Sequence, residues 1–369
     1  MQRWVVFVTQ FLKEVILFIS QVLFTQNEAK IEHHNIKSEN VIEEFNFVHL
    51  SDIHYDFSRT REKEKIFFNY QRVSKELLQS AINKINLHQD KNGPIHAILM
   101  TGDYIQYEPD AITGFIDDFL LPLITTVKPS EGTFMVLGNH DHKKKGSKKI
   151  ITSCLQELKV KYNVHLLENE EDIRDSVFRL KRFNVEIIGF LDYHDPEFNT
   201  EYGKLKKISD PKQNHSTRIV LEHNPDTAAL LRRESWFFDL MLCGHSHGGQ
   251  IRVPIPSSLY PKLFDKYDTN IQNICGNTLM FVPLMLILSF LIDRMPSSIS
   301  IWLRSRWIVM FILRVVKNWQ YGKGGLVKVN DDPSLGGRFI YCNRGIATHP
   351  PLRFLCSPVV ATFNIKKHD

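Results

Sequence analysis

Cysteine is scarce in this sequence: five thiols occur in 369 residues, at Cys154, Cys243, Cys275, Cys342 and Cys356. Their number is odd and no two form a C-x-x-C pair. Both a disulfide framework and a thiolate zinc site need paired or clustered cysteines, so the pattern argues against both and for reduced, buried thiols. Internal repeats and low-complexity tracts are also missing. Excess charge is missing too: 46 Lys and Arg against 41 Asp and Glu leave +5. That is too little to bind nucleic acid across the whole surface. With 43% hydrophobic and 24% charged residues the chain is neither disordered nor collagen-like. Its length suits one large domain or two ordinary ones.

A clean membrane-crossing segment is lacking as well. The N-terminus, MQRWVVFVTQFLKEVILFISQVLF, is apolar but interrupted. Arg3, Gln10, Glu14 and Gln21 fall on one narrow face of a helix, with Val, Phe, Leu and Ile around the rest. This fits a membrane-surface amphipathic helix; a weak signal anchor and an ordinary core helix are the alternatives. The polar stretch Gln26–Glu43 reads as a linker, so residues 1–43 form a membrane-associated helix and its tether. A second apolar run, Asn277–Ile292, is short for a span and contains Pro283. Beyond it lies an apolar helical face at Ile308, Phe311, Ile312, Val315, Val316 and Trp319. Arg304, Arg306, Arg314 and Lys317 are interleaved, and no acidic residue occurs between Arg294 and Asn330. Trp302, Trp307 and Trp319 are three of the five tryptophans. Basic and tryptophan side chains on an apolar helix describe an interfacial element, so residues 255–323 read as a membrane-interacting, lipid-binding helical insertion; a helical hairpin packed as a second core is the alternative.

Between these segments the pattern is regular. Short apolar runs at Phe45–Leu50, Ala97–Met100, Thr133–Leu137, Val185–Phe190, Arg218–Leu221 and Leu240–Cys243 predict strands. Val73, Leu77, Ala81 and Ile85, and then Ile112, Phe115, Phe119 and Leu123, predict helices between them. Strand-like runs return at Leu326–Val329, Arg338–Cys342 and Val359–Ile365. The expected class is α/β, in layers, with residues 44–254 and 324–369 forming one domain around the insertion.

Five fragments follow these runs: HLSDIHYD, LMTGDY, VLGNHDH, LEHNPD and LCGHSHGGQI. Loops at strand ends are where ligand groups gather in layered α/β folds. These five would bring Asp, Asn and several His residues together. Imidazole, carboxylate and amide oxygen without thiolate suit Mn, Fe, Zn or Co. Two such cations about 3.5–4 Å apart activate a water and neutralise a phosphoryl group.

In order and spacing, the fragments resemble the motifs of the calcineurin-like metallophosphoesterases: D-x-H, G-D, G-N-H-[DE], an isolated His and G-H-x-H. The resemblance implies a metallophosphoesterase-type β-sandwich flanked by helices, and an enzyme with two divalent ions, Mn²⁺ foremost. It implies that Asp52, His54 and His247 hold one ion, that Asn139, His223 and His245 hold the other, and that Asp103 bridges them. His140 would donate a proton to the leaving oxygen or stabilise its charge, with Asp141 orienting it. Arg344 is a substrate-binding candidate, with a fold-internal ion pair as the alternative; Trp302 and Arg304 of the insertion are two more. His33, His34, His142 and His194 read as exposed or satisfied histidines. GHSHGGQI and the tail FIYCNRGIATHPPLRFLCSPVV resemble the branch of bacterial membrane-associated phosphodiesterases that includes UDP-2,3-diacylglucosamine pyrophosphatases. The resemblance therefore implies hydrolysis of a nucleotide-linked lipid to lipid X and UMP, in lipid A biosynthesis, at the cytoplasmic face of an inner membrane and without a nucleic-acid partner. The alternative is a general phosphodiesterase or phosphoprotein phosphatase of the same family.

Overall fold

The structure, a computed structural model, describes residues 28–56, 73–106, 108–144, 146–168, 173–208, 216–234, 236–247, 325–328, 339–347 and 357–367. The N-terminal segment expected to be an amphipathic helix and the insertion 255–323 lie outside the described residues.

Side chains alternate along the strands, and that alternation sets the layering. In β2 (Phe45–Leu50), Phe45 and Phe47 face one way and Val48 and Leu50 the other; β3 (Ala97–Thr101) divides Ala97 and Leu99 from Ile98 and Met100. β7 (Val185–Gly189) and β8 (Thr217–Leu221) divide in the same way, with Val185, Ile187, Ile219 and Leu221 joining the cluster that holds Phe45, Phe47 and Leu99. Two sheets therefore share one inner core, and each has an outer apolar face still to be covered.

The first sheet completes itself with β4 (Gly132–Val136) and β5 (Val164–Leu166) on one side, and β12 (Val359–Lys367) and β1 (Lys30–Ser38) on the other. Its order is β1-β12-β2-β3-β4-β5. The second has β6 (Val177–Leu180), β9 (Leu240–Cys243), β10 (Gly325–Lys328) and β11 (Phe339–Cys342), in the order β10-β11-β9-β8-β7-β6. Strands β2 to β5 run parallel, as do β7, β8, β9 and β11. Their carboxyl ends open onto the loops that carry the five fragments.

Helices cover both outer faces. Helix α1 (Lys75–Asn92) starts where Ser74 Oγ accepts from Leu77 N at 3.1 Å, and buries Leu77, Leu78, Ala81, Ile82 and Ile85. Helix α2 (Ala111–Phe115) passes through a π-helical turn, Ile116–Leu120, into α3 (Leu121–Val127). Helix α4 (Ser147–Tyr162) adds Ile151 and Leu155 to the same layer. On the second sheet, α5 (Phe198–Ile208) and α6 (Thr227–Arg233) bring Phe198, Leu205, Ala228 and Leu231 against Phe190, Trp236 and Met241.

One expectation is corrected here. The stretch Gln26–Glu43 is not a linker throughout, because Lys30–Ser38 is β1, paired in parallel with β12 over nine residues. It reads as polar because it is an edge strand: of its residues only Ile36 and Ser38 are buried.

Buried carboxylates accept backbone N–H groups where chain leaves the strands. Glu168 accepts from Leu137 N, Glu201 from Leu191 N at 3.0 Å, and Glu222 from Tyr193 N at 3.0 Å. Burial raises the Glu201 pKa from its ordinary 4.5 to about 7, against the hydrogen bond from Leu191 N and the charge of Lys148. A folded-state value above the unfolded one favours the neutral acid. Its contribution to stability is full below pH 4.5 and is lost as pH rises through about 7. Glu201→Gln keeps an acceptor for Leu191 N and cannot ionise. The variant is therefore expected to gain stability relative to the unmutated protein as pH rises across that window, read as the difference between their denaturant midpoints. A difference that is flat with pH would contradict this role for Glu201.

Candidate metal centre

Five loops meet at one end of the sandwich, each leaving the carboxyl end of a strand. Asp52 and His54 follow β2, Asp103 follows β3, Asn139 and His140 follow β4, His223 follows β8, and His245 and His247 follow β9. Backbone bonds stitch the loops together: Asp52 N donates to Gly102 O at 3.0 Å, His54 N to Asp103 O at 2.9 Å and Gly244 N to His223 O at 2.9 Å. The tail contributes Ala347 N, which donates to Asp52 O at 2.9 Å.

The side chains converge in two groups. His54 Nε2 lies 3.0 Å from His247 Nε2, and His247 Nε2 lies 3.3 Å from Asp52 Oδ1. His223 Nε2 lies 3.2 Å from Asn139 Oδ1, and His245 Nδ1 lies 2.8 Å from the same oxygen. Asp103 Oδ2 joins the groups, at 3.4 Å from His54 Nε2 and 3.3 Å from His223 Nε2. The structure thus brings the seven residues together, with the Asp103 carboxylate between the two groups.

The chemistry of these contacts calls for cations. His223 Nδ1 donates to Thr101 O at 2.7 Å. In the neutral ring Nε2 then carries a lone pair, and it faces the Asn139 and Asp103 oxygens. Electron pairs facing one another at such distances are stable only with a proton or a metal ion between them. The pKa directions say the same. Burial works against ionisation, yet the imidazoles of His223, His140 and His54 hold Asp103 well below the usual carboxylate range. Burial likewise opposes a charged His223, but Asp103 raises its pKa well above the ordinary value. Both shifts mark a place suited to positive charge. Three overlapping triads could hold an ion: Asp52–His54–His247, His54–Asp103–His140 and Asp52–Asp103–His223.

Backbone strain marks the same residues. Among the described residues, eight other than glycine have positive φ, and five of them are Asp52, His54, Asp103, His245 and His247. Lys128, Asn163 and Asn184 occupy helix ends and a turn, where this conformation is ordinary. Left-handed backbone at a residue with a side chain costs about 1–3 kcal/mol and persists where the surroundings impose it. Here it aims five donor groups inward.

His140 and Asp141 divide their work differently from expectation. The Nδ1–H of His140 donates to Gln106 O at 2.8 Å, so a backbone carbonyl orients the ring. Asp141 instead accepts from Tyr104 N at 2.9 Å, Ile105 N at 3.1 Å and Gly138 N at 2.9 Å, clamping the β3 and β4 loops together. Burial and the neighbouring Asp103 raise its pKa to about 7. Burial lowers that of His140 to about 4, partly offset by Asp103. The rings of His54 and His140 meet edge to face with centroids 4.8 Å apart.

Arg344 ion-pairs with Glu32 of β1, which also accepts from Tyr341 Oη at 3.0 Å, so the fold-internal pair is formed. Its neighbour is the residue that touches the centre. Gly345 has φ +72°, and a Cβ there would come 2.6 Å from Asp52 Cβ and 3.2 Å from His247 Nδ1. A Cβ on Gly244 would run into Ser51 Oγ and Asp52 Oδ2. Sequence reasoning stopped at the arginine in CNRGIA; the glycine beside it was the available signal. Trp302, Arg304, Gly248 and Gly249 lie outside the described residues. His33 bonds Thr362 Oγ1 at 3.0 Å and His34 packs on Tyr341 and Phe363, as satisfied histidines do. His142 lies within ion-pair range of Asp192 and Asp195.

The model of the calcineurin-like phosphoesterase family matches residues 45–249, and the chain belongs to that family. It is similar to the phosphodiesterase YaeI of Escherichia coli (strain K12), with 30% identity over 169 residues, 46% of this chain and 55% of YaeI. It is similar also to the metallophosphoesterase YkoQ of Bacillus subtilis (strain 168), with 28% identity over 218 residues, 58% of this chain and 65% of YkoQ. A Helicobacter pylori (strain J99) metallophosphoesterase is 26% identical over 210 residues, 57% of this chain and 49% of that protein. The chain spans between about half and two-thirds of the length of these relatives. Family membership implies two divalent metal ions, and the donor sets fit them.

Two substitutions test the ligand assignment. Asp103→Ala is expected to lower metal content at both sites, and Gly345→Ala to weaken the site holding Asp52 and His247. Both are read by elemental analysis against about two ions per unmutated chain, the number two-metal chemistry uses. Unchanged metal content in Asp103→Ala would remove it as the bridge.

Proposed function

We propose that this chain is a metal-dependent hydrolase of phosphodiester or pyrophosphate bonds. Its proposed substrate is UDP-2,3-diacylglucosamine, cleaved to lipid X and UMP in lipid A biosynthesis, with Mn²⁺ as the working ion. The observation that carries the hydrolase reading is the meeting of two oxygen–nitrogen donor sets at Asp103 Oδ2. Two divalent ions so placed would lower the pKa of a water toward neutrality and neutralise charge on a phosphoryl group.

The remaining work falls to the chain. Asp103 Oδ1 accepts from His140 N at 2.7 Å, which fixes the carboxylate and leaves Oδ2 to face both donor sets. Thr101 O fixes the tautomer of His223. Asp52 accepts from His245 N at 3.1 Å through each oxygen, so the β9 loop is registered against the β2 loop before any ligand arrives. In this reading His140, whose ring is oriented by Gln106 O, would give a proton to the leaving oxygen or stabilise its charge.

The lipid substrate is supported by sequence. The apolar-basic insertion would place Trp302 and Arg304 against acyl chain and headgroup, at the cytoplasmic face of the inner membrane, with the protein bound peripherally. No helix among the described residues is long and apolar enough to cross a membrane. A second reading, a general phosphodiesterase, is favoured by the similarity to YaeI, a phosphodiesterase.

His140→Ala is expected to keep both ions and to lose rate by about 10²–10⁴-fold. Loss of metal in that variant would make His140 a ligand. The substrate is decided by hydrolysis assays on UDP-2,3-diacylglucosamine, bis-p-nitrophenyl phosphate and a phosphopeptide, with Mn²⁺ supplied and then chelated. Chelator-sensitive turnover of the lipid is expected. Turnover of bis-p-nitrophenyl phosphate alone would favour the general phosphodiesterase, and turnover of none would sink the hydrolase reading.

A further inference from the structure

The loop leaving β7, residues 190–197, reaches the metal centre without placing any expected ligand in it. The His194 ring lies 6.2 Å from that of His245, edge to face. The loop is held rigidly. Leu191 N donates to Glu201 Oε2, Tyr193 N to Glu222 Oε1, His194 N to Asp192 Oδ1 at 2.9 Å and Glu197 N to Asp195 Oδ1 at 2.9 Å. Two of these acceptors, Glu201 and Glu222, are buried carboxyls whose pKa burial pushes up. Such anchoring exceeds what a short surface connection needs, and it fixes whatever the loop displays.

What it displays is aromatic. Tyr193 is 42% exposed, and among the described residues no other aromatic side chain is an exposed large hydrophobic. Its ring is braced edge to face by buried Phe198, with centroids 5.3 Å apart, and by exposed His194 at 5.7 Å. His194 Nε2 lies 3.2 Å from Nδ2 of the buried Asn224, which fixes that ring too. A fixed, solvent-facing aromatic pair one ring away from a candidate ligand is a preformed surface that loses little conformational entropy on binding.

We propose that Tyr193 and His194 form the seat of a nucleobase, which makes a nucleoside the group attached to the phosphorus that the metal centre attacks. The proposal rests on the phosphoester reading above. A flat heteroaromatic ring stacks on such a pair and finds hydrogen-bonding partners at its rim, in the Tyr193 hydroxyl and in His194 Nδ1, the ring nitrogen that Asn224 does not engage. An acyl chain would gain nothing from either polar edge. Hydrolysis at the adjacent phosphorus leaves the nucleoside monophosphate in this seat as product.

Calorimetric titration of the Mn²⁺-loaded protein with UMP and with ribose 5-phosphate tests the seat, since the ligands differ by the base. The unmutated protein should bind UMP at least about tenfold more tightly, as loss of one base–aromatic stack implies. Tyr193→Ala should abolish that ratio by weakening UMP while leaving ribose 5-phosphate unchanged. Tyr193→Phe, which keeps the ring face, should preserve it. Equal binding of the two ligands by the unmutated protein, or a ratio that survives Tyr193→Ala, overturns the nucleobase seat. Chelator-sensitive turnover of bis-p-nitrophenyl phosphate by the unmutated protein separates that outcome from failure of the phosphoesterase reading.

Discussion

Repulsion between electron pairs is the condition around which this fold is built. His54 Nε2, His223 Nε2, Asn139 Oδ1 and Asp103 Oδ2 are all acceptors in the metal-ready state, and they crowd within 3.2–3.4 Å of a neighbour. Asp52, Asp103 and His223 are almost wholly withdrawn from water. Groups in that position relax apart unless something else holds them. Two things do: left-handed backbone at five of the donor residues, and buried carboxylates that bind the loops by their N–H groups. Two divalent ions, as family membership implies, would supply positive charge where these groups meet.

The sandwich makes that readiness possible. Every expected ligand follows a strand whose side chains face a core on both sides, so no loop base has room to shift. The loops then brace one another. Asp141 spans two of them, and Asp52 accepts from the backbone of a third, a contact made close by the absence of a Cβ at Gly244.

Much of this was legible in sequence, and the limits have physical reasons. Strands β2, β3, β4, β7, β8 and β9 are buried on both faces, so they appear as apolar runs. Strand β1 is an edge and its side chains are mostly polar; β5 has three residues, too few to show a period. Helix α4 buries only Ser147, Ile151 and Leu155, and its four lysines obscure the apolar stripe. The ligands were legible because their types and spacing follow from the chemistry they serve. Asp141 was misread because its role depends on the Tyr104, Ile105 and Gly138 amides, and nothing in N-H-D announces them. Tyr193 and His194 belong to no motif, and only the fold brings them beside His245.

The position of β12 has a consequence for biosynthesis. This strand enters the first sheet between β1 and β2, so Thr362 is paired with His33 and Val48, more than 300 residues earlier in the chain. β11 likewise joins β9 only after the insertion has been synthesised. On the ribosome, the loops bearing Asp52, Asp103, Asn139, His223 and His245 all emerge before the strands that close both sheets. During that interval the edges of β2 and β9 are unpaired templates, and high contact order makes their closure slow. The nascent chain is therefore most exposed to misassociation while its apolar insertion is being translated.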